Sequence, residues 1–353
     1  MLRVYTRDSD HLVAHSINVN ATEQQPFPEG TVPWLDLLNP TPEEDRYVEA
    51  AVGVSIPTRE EMQEIEVSSR LYNENGAEFM TMTAVTRIDT DEPQLTPITF
   101  VLKGSTLVTV RYAEPRPFMM FALRVQRANA VSCGTGEQVM LSLMEALIDR
   151  IADALEKVGA KIDAISREVF KHEDSRKKSS KTADFQKIIV DIGREGDLVS
   201  MARESLLSMN RVLTYHTAVA DDSKRALKEI RSRVRSLQRD VSSLTDHSTY
   251  LSTKINFLLD ATLGLIDRRR GADAADADRL DLRHELQGHA GTGVRIRLSH
   301  GYRVDDHHGH LALRLLPTAR LAVAVGQFTA SLASRSCRKR RTAGSCSRPM
   351  ARP

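Results

Sequence analysis

The chain has 353 residues, 41% hydrophobic and 27% charged, with Lys+Arg 49 against Asp+Glu 47. These totals describe one large or two ordinary globular domains, and a formal net charge of +2 singles out neither nucleic acid nor any other partner. No run of roughly 18 apolar residues marks a membrane span, the N-terminal MLRVYTRDSDHLV lacks a signal-peptide core, and Cys133, Cys337 and Cys346 have neither disulfide nor metal-ligand spacing, so composition alone reads as a cytoplasmic protein without a zinc site.

Runs rich in Val, Thr, Ile, Phe and Tyr predict strands at 2–5, 32–38, 78–89 and 98–112, with Lys103-Gly104-Ser105 breaking the last into a hairpin. Thr41 ahead of Pro42, Glu43 and Glu44 predicts a capped helix start, and Thr58 with Glu61 predicts a second. Residues 1–130 therefore read as an α/β domain, a mixed sheet with helices packed on it.

Farther on, Met144, Ile148, Ile151, Leu155, Val158, Ile162, Ile165 and Val169 alternate in steps of four and three, a heptad seam. A charged break at 172–181 precedes a second helical run at 184–215. A third seam follows at Ile230, Val234, Leu237, Val241, Leu244, Leu251, Ile255 and Leu258, with Ser248 in the missing step. About 45 residues of helix extend some 65 Å. Packing within the chain accounts for most such seams, but a partner of equal length for the third is scarce, so its spacing predicts self-association around a shared axis.

Composition changes after Ile266. Residues 1–266 hold 21 Arg and 11 Lys; residues 267–353 hold 16 Arg, a single Lys and six of the eleven His. With no sustained apolar period, the later part does not read as a folded domain. The expected divisions are thus 1–130, a long-helix region at 131–266, and an aberrant, disordered tail at 267–353. No enzyme is expected: His11, His15, His172, His216 and His247 are scattered, no Gly-rich phosphate loop or nucleophile elbow occurs, and Glu60, Glu61, Glu64 and Glu66 read as a helix face.

Three segments, WLDLLNPTPEE (34–44), IPTREEMQEIEVSSRLY (56–72) and SLTDHSTYLSTKINFLLDATLGLI (243–266), carry a resemblance to the CorA family of divalent-cation channels in its proteobacterial branch. VTVRYAEPRPF (108–118) and the run at 184–213 extend it over essentially all of residues 1–266. The resemblance implies an inner-membrane homopentamer that transports Mg2+, with Co2+ or Ni2+ as further cargo. It also implies a cytoplasmic α/β domain, a stalk helix continuing into a first transmembrane helix, a Gly-Met-Asn pore mouth and a second transmembrane helix. Asn256, Thr262 and Gly264 match the family's cytoplasmic pore end, although Asn256 equally suits a register-setting polar residue in a helical seam. Regulatory Mg2+ would be sensed by carboxylates meeting across subunits, Asp89 with Asp240 or Asp246; Asp91, Glu92 and Asp260 are further acids nearby in sequence, and each acid is otherwise an ordinary solvated charge.

The chain departs from the family after Ile266: no transmembrane helix follows and no Gly-Met-Asn occurs. One permitted codon set for DAADADRLDLRHELQGHAGTG (273–293), read one base later, encodes MPPTLIASIYGMNFKVMPEL, the end of a first transmembrane helix with its Gly-Met-Asn. The middle base of each codon dictates the first base of its shifted neighbour, which leaves little freedom over such a length. The same shift turns DDHHGH (305–310), otherwise a candidate metal cluster, into an apolar Met-Ile-Ile-Thr-Ala, and it puts the Arg-rich 334–341, which mimics a nucleic-acid patch, beyond a stop at 322–324. The tail thus reads as membrane sequence out of frame after a deletion of roughly a dozen codons. The expected function is a divalent-cation channel subunit that keeps its sensing region and has lost conduction. The alternative is a soluble, cation-binding, self-associating helical module.

Overall fold

The computed structural model describes residues 1–19, 27–28, 30–127, 133–174, 182–222 and 228–288. By its contacts the chain divides into Met1–Leu282 and Arg283–Pro353; all that follows concerns the first unit, apart from the end of its last helix.

Seven strands form one sheet: β1 (Leu2–Asp8), β2 (His11–Ile17), β3 (Trp34–Leu38), β4 (Leu71–Glu74), β5 (Ala77–Thr86), β6 (Gln94–Lys103) and β7 (Thr106–Arg111). Their order is β2-β1-β3-β7-β6-β5-β4, antiparallel except for the central β3–β7 pair. All ten residues of β5 are buried, so its sequence runs nearly continuously apolar or Thr rather than alternating, as a strand covered on both faces does. One face packs Trp34, Met80, Met82 and Phe100 beneath the long helices; the other packs Leu35, Leu37, Phe79 and Val108 against Val48 and Met62.

The predicted strands at 2–5, 32–38, 78–89 and 98–112 correspond to β1, β3, β5 and the β6–β7 hairpin, the last turning at Gly104, whose φ is +59°. Helix α1 (Pro42–Val52) starts as expected: Thr41 accepts from the Glu44 amide and the Glu44 carboxylate accepts from the Thr41 amide. The helix expected after Thr58 does not extend. Its capping contacts with Glu61 form, but only a 3-10 turn at Glu61–Gln63 and the short α2 (Val67–Arg70) follow. Met62 alone is buried there, while Ile65 is 90% exposed, so no apolar stripe exists to hold a longer helix against the sheet. Strands β2 and β4 and helix α3 (Arg116–Val125) were not anticipated.

Helices α4 (Gly136–Asp174), α5 (Thr182–Asp222) and α6 (Lys228–Gly288) complete the chain. Gly136 is required where it stands: a Cβ there would lie 2.4 Å from the Leu107 backbone nitrogen, and its own amide donates to the Ser105 carbonyl at 2.6 Å. This contact fixes the start of α4 on the β6–β7 hairpin. Side-chain pairs set the packing. Arg233 of α6 reaches Glu145 of α4 at 2.7 Å, Leu251 meets Gly159, and Lys254 pairs with Asp163, so α4 and α6 run parallel. Lys161 of α4 reaches Glu195 of α5 at 2.7 Å while His216 near the end of α5 reaches Glu137 at the start of α4, so those two run antiparallel.

The third seam is consequently filled inside the chain. Ile230, Val234, Leu237, Val241, Ser248, Leu251, Ile255 and Leu258 are all buried, and the apolar ones join α4 and α5 in one cluster. The seam itself is therefore no sign of self-association: α4 and α5, of 39 and 41 residues, supply the long partners that appeared scarce. α6 also passes the compositional break at 266 and runs helically to Gly288, through a stretch in which Ala, Leu and Arg alternate with Asp. Among the described residues no helix is long and apolar enough to cross a membrane. The remaining tail, including the Asp305–His310 cluster and the Arg-rich 334–341, lies outside the described residues.

Candidate functional site

The residues of regulatory interest gather around the α4 surface. Asp89 lies in the β5–β6 connection, its side chain 49% exposed, and is surrounded by cations of its own chain: it pairs with Arg150 of α4, Arg116 of α3 at 3.5 Å and Lys157 of α4 at 3.8 Å. The hydrogen bond from Arg150, reinforced by the three positive charges, holds its carboxyl below the usual range. On another side of α4, Asp149 has its pKa raised by burial and by the charges of Glu145, Asp153 and Asp240. Asp240 is thus part of an acidic group between α4 and α6, and Asp246 lies exposed one turn and a half farther along α6.

Within one chain these acids do not form a metal centre. Among the described residues no group of three or more His, Cys, Asp or Glu converges as a metal site. Asp89 already has three cations around it, so a divalent cation would have to compete with them for its carboxylate.

The three pore-end residues all lie on α6 but not on one face. Asn256 and Gly264 are exposed and about 80° apart around the helix, whereas Thr262 is buried and its hydroxyl donates to the Leu258 carbonyl at 2.7 Å. Asn256 and Gly264 belong to an outward polar stripe that also carries Asp246, Thr249, Thr253 and Asp260. Thr249 and Thr253 direct their hydroxyls to backbone carbonyls one turn back, at 3.0 Å each, so these two small side chains are not loose donors.

A family model for the CorA-like Mg2+ transporter protein matches residues 29–269. The chain belongs to that family. Among its relatives, the magnesium transport protein CorA of Pasteurella multocida is 24% identical over 266 residues, covering 75% of this chain and 78% of the relative. The fold is shared with the full-length CmaX protein (TM-score 0.63, 14% identity, 95% of this chain and 96% of that one). It is also shared with the soluble domain of CorA from Methanocaldococcus jannaschii (TM-score 0.52, 16% identity, 66% and 88%). CorA proteins are transporters, not enzymes, and Mg2+ is the ion named for these relatives.

Two polar constellations of this CorA-family chain escaped the sequence reading. Asp36 and Arg111, each 1% exposed, form a bidentate pair at 2.9 and 2.8 Å across the central parallel strands, and Thr109 joins the Asp36 carboxylate to the Trp34 indole. The signal was a charge of each sign in otherwise apolar strands. The second is His216, buried on α5 between Glu78 of β5 at 2.8 Å and Glu137 of α4 at 2.9 Å. Burial pulls the imidazole pKa down, but the hydrogen bonds and charges of both carboxylates outweigh it and push it up to about 9. His216 is therefore a buried cation that fastens α5 to both the sheet and α4. Its two carboxylates approach opposite ring nitrogens, which separates them rather than converging them on a metal.

Proposed function

We propose that this chain is a subunit for transmembrane transport of divalent cations, Mg2+ with Co2+ or Ni2+ as further cargo, that acts as a homopentamer and keeps the family's cytoplasmic ion-sensing part. The observation that carries the reading is the family match over residues 29–269 together with the outward stripe of small polar side chains on α6. Magnesium keeps several of its waters, and hydroxyl and amide oxygens suit a hydrated ion better than charged rings that would hold it fast. Asn256 and Gly264 are the path residues of that stripe, and Thr262 supports it from behind through its backbone contact.

Regulation is assigned to Asp89 of one copy with Asp240 or Asp246 of the next. Its supports are the exposure of Asp89 at a strand connection and of both acids on α6. In such a site Mg2+ competes with Arg116, Arg150 and Lys157 for Asp89. Sedimentation of the full chain in a Mg2+ titration tests this: tighter association with rising Mg2+ supports it, and association indifferent to Mg2+ but weakened by salt refutes it.

Conduction is lost in this chain on the same reading, because the sequence after 266 is the membrane region in a shifted frame. The sequence of the gene across codons 260–325 decides that point. A shifted frame encoding two apolar helices with Gly-Met-Asn and ending at a stop near 322–324 is expected; a shifted frame interrupted by stop codons before that point refutes it. The soluble, self-associating cation-binding module is the reading that follows if no such frame exists and Mg2+ still drives association.

A further inference from the structure

Strand β4 covers the edge of β5 only as far as Met80, and α5 closes the edge beyond it. There the Thr83 amide donates to the Ser208 hydroxyl of α5 at 2.9 Å. Arg70, the last residue of α2, reaches the same strand residue: its guanidinium donates to the Thr83 hydroxyl at 2.8 Å. Helical spacing then brings two charges to Arg70, because Glu204 and Arg211 stand one turn before and one turn after Ser208, both exposed and about 10 Å apart along the axis. Arg211 repels the Arg70 charge, and Glu204 attracts it less strongly.

The donors gathered here lack an acceptor. The Arg70 Nε is enclosed and meets no hydrogen-bond partner, and among the described residues neither Arg70 nor Arg211 forms an ion pair. Glu204 does not fill that role, since it forms no ion pair with either arginine. Other sheltered arginines of the chain meet carboxylates: Arg111 meets Asp36, Arg150 meets Asp89 and Arg233 meets Glu145. Two like charges held near one another repel, and an enclosed donor without an acceptor keeps its desolvation penalty. Packing of α5 on β5 requires neither, because Ser208 already satisfies the strand edge.

We propose that Arg70 and Arg211, with the Thr83 hydroxyl, form a binding site for a phosphate-class oxyanion, supplied as inorganic phosphate or as the terminal phosphate of a nucleotide. Guanidinium groups stay charged and present planar forks of donors that match phosphate oxygens. The Arg70 Nε supplies a fixed donor, Arg211 supplies an exposed guanidinium that can turn to the ligand, and the Thr83 hydroxyl, which accepts from Arg70, keeps its own proton to donate. Val67 and Leu207, one turn before each arginine, are 52% and 41% exposed, so the approach is open to solvent. The Glu204 carboxylate opposes the anion and makes the site one that fills and empties with ligand concentration.

Isothermal titration of the full chain with sodium phosphate, at an ionic strength held constant with sodium chloride, tests the site. One saturable site per chain is expected. Arg211→Gln should weaken binding about tenfold or more, the scale of a charge-assisted contact, whereas Glu204→Gln should tighten it because a like charge is removed. Both variants replace exposed side chains, so far-UV circular dichroism and thermal unfolding without phosphate should match the unmodified chain. Titration with ATP in EDTA separates the two sources: tighter binding than phosphate, weakened equally by Arg211→Gln, supports a nucleotide, and binding of phosphate alone supports the inorganic ion. No saturable binding of either ligand, or binding that Arg211→Gln leaves unchanged, overturns the proposal.

Discussion

The inner and outer faces of α6 were built to different requirements. Along the inner face, apolar residues from Ile230 to Leu258 are buried against α4 and α5, and the one polar intruder, Ser248, turns its hydroxyl to the Thr245 carbonyl at 2.7 Å. Along the outer face, Asp246, Tyr250, Thr253, Asn256, Asp260 and Gly264 meet little of their own chain; a Cβ added at Gly264 would touch nothing within 4 Å. The inner face explains why the helix is stable, and the outer face is the one that the proposed ion path and assembly would use. Stability and function are thus separable on one helix.

Substitutions can break that separation. The largest loss of stability is expected inside, from His216→Ala: it removes the cation between Glu78 and Glu137, and removal of one partner from a buried ionic group costs about 3–5 kcal/mol. Thermal unfolding at pH 7 measures it. The intact triad also predicts a pH dependence. With the pKa of His216 raised to about 9 in the fold, its stabilisation is fully present below the unfolded value of about 6.5 and is lost as pH rises through about 9. A melting temperature of the unmodified chain that falls over this range, against a flatter profile for His216→Ala, bears this out; parallel profiles refute it.

Leu251→Ala on the inner seam comes next, at about 2–5 kcal/mol for a buried leucine; a loss below about 1 kcal/mol would mean that α6 is not packed as described. Breaking the Lys254–Asp163 pair at the rim with Asp163→Ala should cost much less than the seam substitution, because Asp163 is 54% exposed and water already screens the pair. Smallest of all, Thr253→Ala on the outer stripe should leave stability within about 0.5 kcal/mol. A large destabilisation there would erase the distinction between the faces.

What could be read from sequence follows the same division. The heptad seams showed plainly because burial imposes a period; their partner was misjudged because a period says that a face is covered, not by what. The strand β4 was missed although Asn75-Gly76, with φ of +51° and +75°, is a strong hairpin turn, since its four residues are too few to show alternation. The helix expected after Thr58 shows the reverse error: its capping contacts are real, yet caps only begin a helix that packing must sustain. Of the candidate site residues, Asp89 was read as the acid that ends a strand, whereas β5 stops at Thr86 and Asp89 lies in the connection; its three cations come from helices 27 to 68 residues away, as Arg116, Arg150 and Lys157 show by their numbers. Long-range electrostatic company leaves no local trace. The same holds for His216, whose carboxylates are 138 and 79 residues distant.

The most direct test of the transport reading is Mg2+ uptake in cells lacking their own Mg2+ transporters, comparing the gene as it stands with one in which both the deleted codons and the frame after codon 266 are restored. Uptake from the restored frame and none from the present chain is the predicted result. Uptake supported by the present chain, or none from a restored protein that reaches the membrane, would contradict it.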